Sequence, residues 1–197
     1  DFISPIENVP NIRLGQPIPI NIENGVAAMA LAQICGCTAD ELRYGMSSYH
    51  GVVRRFDFKI KNDKHVLLSD YAHHPKEIYQ SAKSLKQLYS HRKITAIFQP
   101  HLYSRTKDFY KDFADALSQL DEVILCDIYP ARELPIEGVT SKLIYDCLKD
   151  GVQKQMIHKE ELLDLARERD FDVLVILGAG DIESYMPQLT KIIESKE

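Results

Sequence analysis

No stretch of this 197-residue chain runs for 18 or more apolar residues, so the sequence offers no membrane-spanning helix. Charge of one sign is also scarce. The net charge is −5, which leaves no basic footprint for nucleic acid, although local arginines can still hold a small anion. Cysteine is sparse: Cys35, Cys37, Cys126 and Cys147 make no Cys-x-x-Cys pair, and Cys126 lies in an apolar, strand-like run. That spacing favours reduced, mostly buried structural thiols of a cytoplasmic protein over a zinc site. Nowhere does the chain contain a P-loop (Gly-x-x-x-x-Gly-Lys-Ser/Thr), a Gly-x-Ser-x-Gly elbow, a His-Glu-x-x-His helix or a kinase signature. The opening Asp1-Phe2-Ile3-Ser4-Pro5-Ile6 lacks the basic and apolar regions of a signal peptide. It begins mid-pattern without a Met, and the expectation is a piece of something longer.

What is present is 45% hydrophobic, ample for a real core, and falls into two unequal parts. Residues 11–20 alternate loosely around Pro17 and Pro19 and suit an edge strand or extended lead-in. Asn24 then opens a small-residue helix over Val26–Cys35, which Gly36 can end. Thr38 and Glu41 have capping-box spacing and start a short helix through Met46. This first part, to about Gly51, is too small to be a stable domain by itself.

Beyond Arg55 the periodicity changes. Strands are expected at Phe56–Ile60 and Val66–Tyr71, with Asn62-Asp63 as the turn between them. A helix follows from Pro75, with Ile78, Ala82, Leu85 and Leu88 at helical spacing. The alternation then repeats: strand Ile94–Gln99, helix Lys107–Leu120 with Phe109, Phe113, Ala116 and Leu117 inward, strand Glu122–Ile128 and helix Ser141–Lys149. A short strand near Gln155–Ile157, a helix Lys159–Glu168, a strand Val173–Leu177 and a final helix complete the series. Strands alternating with helices of this length predict an α/β, Rossmann-like and mostly parallel sheet flanked by helices.

In such a sheet the loops after the strands gather along one edge, where ligands bind. Two of these loops are rich in chemistry: Asp70 to Pro75, and Phe98 to Thr106. His73 and His74 are either metal ligands with His101, or a helix cap and a hydrogen-bonded neighbour. Asp70 can bind a ribose hydroxyl or simply cap. Arg105 offers a planar fork for a carboxylate or phosphate beside a helix N-terminus, or else pairs with Asp108. Arg54 and Arg55, expected at a domain junction, either grip phosphates or tie the domains together. Gly178-Ala179-Gly180 lacks the third glycine of a dinucleotide loop, which favours a tight structural turn.

The segments DYAHHPKE and FQPHLYSRTKDF, with RRFDF before them and GAGDI after, closely resemble the Mur ligase family of peptidoglycan synthesis. The likeness covers essentially the whole chain and is strongest to members that join L-alanine to UDP-N-acetylmuramate. It implies that residues 1–51 end a central ATP-binding domain and that 52–197 form the C-terminal domain. By motif, Asn21 and Asn24 match an Asn-x-x-Asn pair beside the adenine, with Ile20 where a His is common. Arg55 and Asp70 match positions that contact the nucleotide. His73, His101 and Arg105 match positions at the L-alanine end, and Leu102 stands where many relatives carry a basic residue. Arg55 and His73 are the catalytic candidates.

The implied chemistry is ATP-dependent amide formation through an acyl phosphate, with Mg2+ held mainly by residues outside this chain, so no metal ligand is assigned within it. The chain alone is expected to be inactive. The resemblance gives no oligomeric state. A murein tripeptide recycling ligase shares the Asp-aromatic-Ala-His-His-Pro motif but not the loop from His101 to Thr106. A nucleotide- or amino-acid-binding module without chemistry is the reading from a different class.

Overall fold

The computed structural model describes residues 8–14 and 19–196. The chain divides into two compact units, Asp1–Val52 and Val53–Glu197. In the first, α1 (Pro19–Ile34) and α2 (Ala39–Ser48) are the regular elements among the described residues. The extended lead-in expected over 11–20 does not form as such. Residues 8–14 carry no regular structure, 15–18 lie outside the described residues, and Pro19 and Ile20 already belong to α1. Proline fits a helix's first turn because the N–H it lacks would have no intrahelical partner there, so α1 starts well before Asn24.

The ends of these helices follow local rules. Gly36 takes φ +92°. Cys37 N–H donates to Ala32 O at 3.0 Å and Gly36 N–H to Gln33 O at 2.9 Å, a Schellman closure that needs the left-handed residue. Thr38 and Glu41 make the expected capping box, Glu41 N–H donating to Thr38 Oγ1 at 3.3 Å and Thr38 N–H to Glu41 Oε2 at 2.8 Å.

The second unit is a six-stranded sheet in the order β1-β2-β6-β3-β4-β5. Its strands are β1 (Asp57–Lys61), β2 (Val66–Asp70), β3 (Ile94–Phe98), β4 (Glu122–Leu125), β5 (Gln153–Met156) and β6 (Val173–Leu177). Only β1 runs antiparallel, paired with β2 through a turn in which Asn62 Oδ1 accepts from His65 N–H at 2.7 Å. All residues of β2, β3, β4 and β6 are buried, as strands covered on both faces require. At the edge, β5 is exposed throughout.

Helices α3 (Pro75–Leu88), α4 (Tyr103–Leu117) and α5 (Lys142–Cys147) connect β2 through β5. A 3-10 turn at Lys159–Glu161 leads into α6 (Leu162–Glu168), and another at Asp181–Tyr185 into α7 (Met186–Glu194). On one side of the sheet Leu67, Ile97, Ile124 and Ile176 pack with Leu162, Ala166, Leu189 and Ile193 of α6 and α7. The alternate strand residues face the other side, where Phe98 meets Phe113 of α4 at 5.3 Å between ring centroids.

Three expectations need correction. Helix α4 begins at Tyr103, not Lys107, so Arg105 belongs to a helical turn rather than a loop. Phe109 and Leu88 stay 36% and 45% exposed and are not part of the core, whereas Ile78, Ala82, Leu85, Phe113, Ala116 and Leu117 are buried. Of the four free thiols only Cys126 is buried, since Cys35, Cys37 and Cys147 fall at helix ends and turns.

Candidate functional site

Parallel register brings the C-terminal ends of the central strands to one line. Asp70 of β2 lies opposite Leu177 of β6, Leu177 opposite Phe98 of β3, and Phe98 opposite Leu125 of β4. The loops that follow therefore meet, and both polar segments singled out in the sequence lie among them. An isolated bridge between His101 and Tyr129 carries the β3–β4 pairing one step beyond the strands.

The two adjacent histidines separate. His74 caps α3: its ring accepts from Lys76 N–H at 3.5 Å, and Glu77 completes a capping box with Pro75 in the first turn. His73 turns its Nδ1 to the Tyr71 carbonyl at 2.9 Å. A carbonyl only accepts, so that nitrogen carries a proton, and in the neutral ring Nε2 is the one left to accept. The His73 ring lies 6.1 Å from that of His101, which stacks on Tyr129 at 5.6 Å.

His101 and Arg105 hold the most telling groups. His101 Nδ1 and Arg105 Nη1 are buried and have no hydrogen-bond partner among the described residues. Burial, then the charges of Arg105 and His73, push the His101 imidazole below its ordinary pKa against the opposing pull of Glu133. Arg105 makes no ion pair with Asp108; no salt bridge to it occurs among the described residues. Buried polar groups are normally satisfied, so an unpartnered guanidinium nitrogen at a loop cluster has the character of a ligand site.

The two arginines before β1 take different tasks. Arg54, at φ +63°, lays its guanidinium over the Tyr71 ring at 4.6 Å and donates through Nη2 to Gly178 O at 3.2 Å and Gly180 O at 3.4 Å. It ties the β1 lead-in to the turn after β6. Arg55 is exposed, with its guanidinium 5.8 Å from the same ring, and makes no hydrogen bond or ion pair among the described residues. Asp70 is buried and accepts from the Ser81 hydroxyl. Burial raises its pKa against the opposing effects of Ser81, the Ala72 and Phe56 N–H groups and Arg55.

Gly178-Ala179-Gly180 is a structural turn. A Cβ on Gly178 would stand 2.8 Å from the Gln99 carbonyl oxygen, and one on Gly180 would stand 2.3 Å from Gln99 Oε1. Gln99 spans the turn, donating to Asp181 Oδ1 at 2.8 Å and accepting from Ile182 N–H at 3.1 Å. In the first unit Asn21 and Asn24, one helical turn apart on α1, line a cleft of about 330 Å³ with Gly45, Met46 and Tyr49. A more open cleft of about 580 Å³ runs along α3 and α4 past Tyr79, Phe109 and Lys149; neither His101 nor Arg105 lines it. It is not where the unsatisfied polar groups are. No group of three His, Cys, Asp or Glu side chains is placed to hold a metal ion among the described residues.

Sequence reasoning missed Tyr71, Tyr129 and Glu133. The last two belong to the long connection between β4 and α5, and its length beside a strand end was the available signal.

Residues 54–180 match the family model described as Mur ligase, glutamate ligase domain. The chain is 64% identical, over 100% of its length, to the UDP-N-acetylmuramate–L-alanine ligase of Phocaeicola vulgatus, of which it covers 43%. A solved UDP-N-acetylmuramate–alanine ligase from Thermotoga maritima superposes with a TM-score of 0.77 at 27% identity, over 94% of this chain and 40% of that one. A murein peptide ligase from Psychrobacter arcticus, at 17% identity and a TM-score of 0.64 over 92% of this chain and 38% of that one, shares the fold. The chain thus spans less than half the length of the relatives it matches.

Proposed function

This chain belongs to the Mur ligase family, and we propose that it supplies the amino-acid side of a cytoplasmic, ATP-dependent ligase joining L-alanine to UDP-N-acetylmuramate. The observation that carries the reading is the buried, unpartnered Arg105 Nη1, together with the unpartnered Nδ1 of His101, a ring that feels the Arg105 charge. An amino acid brings a carboxylate whose geometry matches the guanidinium fork, and pairing would satisfy a donor that the fold leaves open. Identity of 64% over the whole chain to an alanine ligase favours L-alanine over a preformed peptide as the substrate.

The chemistry required is carboxylate activation. A carboxylate is a poor electrophile until one oxygen becomes a leaving group, which phosphorylation by ATP provides; the alanine amine then attacks the acyl phosphate. Arg105 holds the alanine carboxylate and so aims the amine, converting an encounter into an oriented reaction. His73 and His101 line that end. Arg55, exposed and unpaired, is the group free to neutralise phosphate charge, and Asp70 shapes the strand end beneath it. Asn21 and Asn24 are assigned to the adenine.

Residues 1–51 are read as the end of an ATP-binding domain. That reading is supported by Val26, Leu31 and Ile34 of α1, which stay more than half exposed in the unit as it stands. Mg2+, when bound, would neutralise phosphate charge; no ligand for it is assigned to this chain.

Phosphate release tests the reading. The full-length protein should release phosphate only when ATP, UDP-N-acetylmuramate and L-alanine are all present, and this chain alone should not. Arg105→Ala should raise KM for L-alanine about a hundredfold, the order expected when a positioning contact is lost, and leave UDP-N-acetylmuramate binding nearly unchanged. Equal loss for both substrates would remove the clamp role, and turnover only with a preformed peptide would replace the substrate.

A further inference from the structure

Helix α4 begins without a cap of its own. Leu102 occupies the N-cap at φ +73° and makes no side-chain cap bond, although the first N–H groups of any helix lack partners within it. The acceptor comes instead from the loop after β4. Glu133 accepts from the Ser104 backbone N–H at 2.9 Å with one oxygen and from the Ser104 hydroxyl with the other. The Tyr103 N–H also acts on it, and these bonds, the hydroxyl's first, hold its carboxyl below the usual carboxylate range.

That loop is itself fixed to the turn it caps. Leu102 N–H donates to Tyr129 O at 2.9 Å, Tyr129 N–H to Pro100 O at 2.8 Å, and Glu133 N–H to Pro130 O at 2.9 Å. The segments 100–104 and 129–133 therefore form one hydrogen-bonded piece, with Glu133 as its outer tie.

Arg105 follows Ser104 directly, yet Glu133 does not pair with it. Each carboxylate oxygen accepts a bond from Ser104, no ion pair joins Glu133 to Arg105 among the described residues, and Arg105 Nη1 keeps no partner. An ion pair here would have quenched a guanidinium suited to a substrate carboxylate.

We propose that Glu133 is a positioning residue for the amino-acid substrate: it fixes the first turn of α4 so that Arg105 presents an unquenched guanidinium to the substrate carboxylate. The inference rests on the reading of Arg105 as the clamp for L-alanine. It adds a residue that never needs to touch the ligand.

The experiment is substrate kinetics on the full-length protein. Glu133→Ala should raise KM for L-alanine about tenfold, with KM for ATP and for UDP-N-acetylmuramate changed by less than about twofold. Glu133→Gln keeps an acceptor and should restore part of the loss. Ser104→Ala leaves Glu133 and the backbone bond in place and should move the alanine KM the same way by a smaller factor. An unchanged alanine KM in Glu133→Ala, or an equal rise for all three substrates, overturns the proposal. Should Glu133→Ala fail to fold by circular dichroism, the two milder variants decide by the same criterion. If the unaltered protein releases no phosphate in response to L-alanine, it is the clamp reading that fails. An active protein whose variants keep their alanine KM rejects only the positioning role.

Discussion

Arg54 and Arg55 are neighbours in sequence with opposite fates, and nothing local distinguishes them. Arg54 is drawn in by carbonyl acceptors on Gly178 and Gly180, more than a hundred positions away, so its role was not legible in its own surroundings. The histidine pair was easier, because the Pro75 and Glu77 that make His74 a cap lie within one turn of it. Thiol chemistry gives a test at the same scale. Burial, then Asp127 and Glu160, pushes the Cys126 thiol up to about 12, while the other three cysteines are exposed. Because the thiolate is the reactive form, an Ellman assay near pH 8 should count three fast thiols and release the fourth only in denaturant. Fast reaction of all four in the native protein would contradict the placement of Cys126.

Element boundaries divide by where their determinants lie. The start of α2 is written in Thr38 and Glu41, and its capping box was read directly. Thr38→Ala should cost about 1 kcal/mol in urea unfolding, as loss of such caps usually does. The start of α4 was placed four residues late, since its cap arrives from Glu133, 29 positions away from Ser104, and no helix signal near Leu102 announces it. The turn after β6 was recognised as structural from its glycines, but the reason for them is the Gln99 backbone pressed against it. Gly178→Ala forces a side chain onto φ +140° and to within 2.8 Å of a carbonyl oxygen. It should cost about 2 kcal/mol or more by the same measurement, the scale of strained backbone positions. At Gly138, where φ is +76° and a Cβ would meet nothing within 4 Å, the loss should be smaller.

Across the whole molecule, the alternation of strands and helices revealed a mostly parallel sheet, but hydrophobic runs carry no information about which strand lies beside which. Ion pairs at the other end of the sheet couple this architecture to pH. Burial alone would raise the Glu122 pKa, but hydrogen bonds from Lys93 and Arg169 outweigh it and the carboxyl titrates below its ordinary range. A folded pKa below the unfolded one contributes stability above the unfolded value near 4.3, and that stability is lost as pH falls through the folded value. The melting temperature should therefore drop steeply below about pH 4, and less steeply in Glu122→Gln. An identical acid slope in that variant would show that Glu122 does not contribute.

The strand order has a further consequence, for how the chain is made. Strands β2 and β3, consecutive in the chain, never touch, because the slot between them belongs to β6, the last of this sheet's six strands to be synthesised. Until it arrives, two buried strands keep open edges, and the residues of the strand-end cluster have no common frame. The nascent chain must hold these edges apart, or have them shielded by a chaperone, until β6 has emerged.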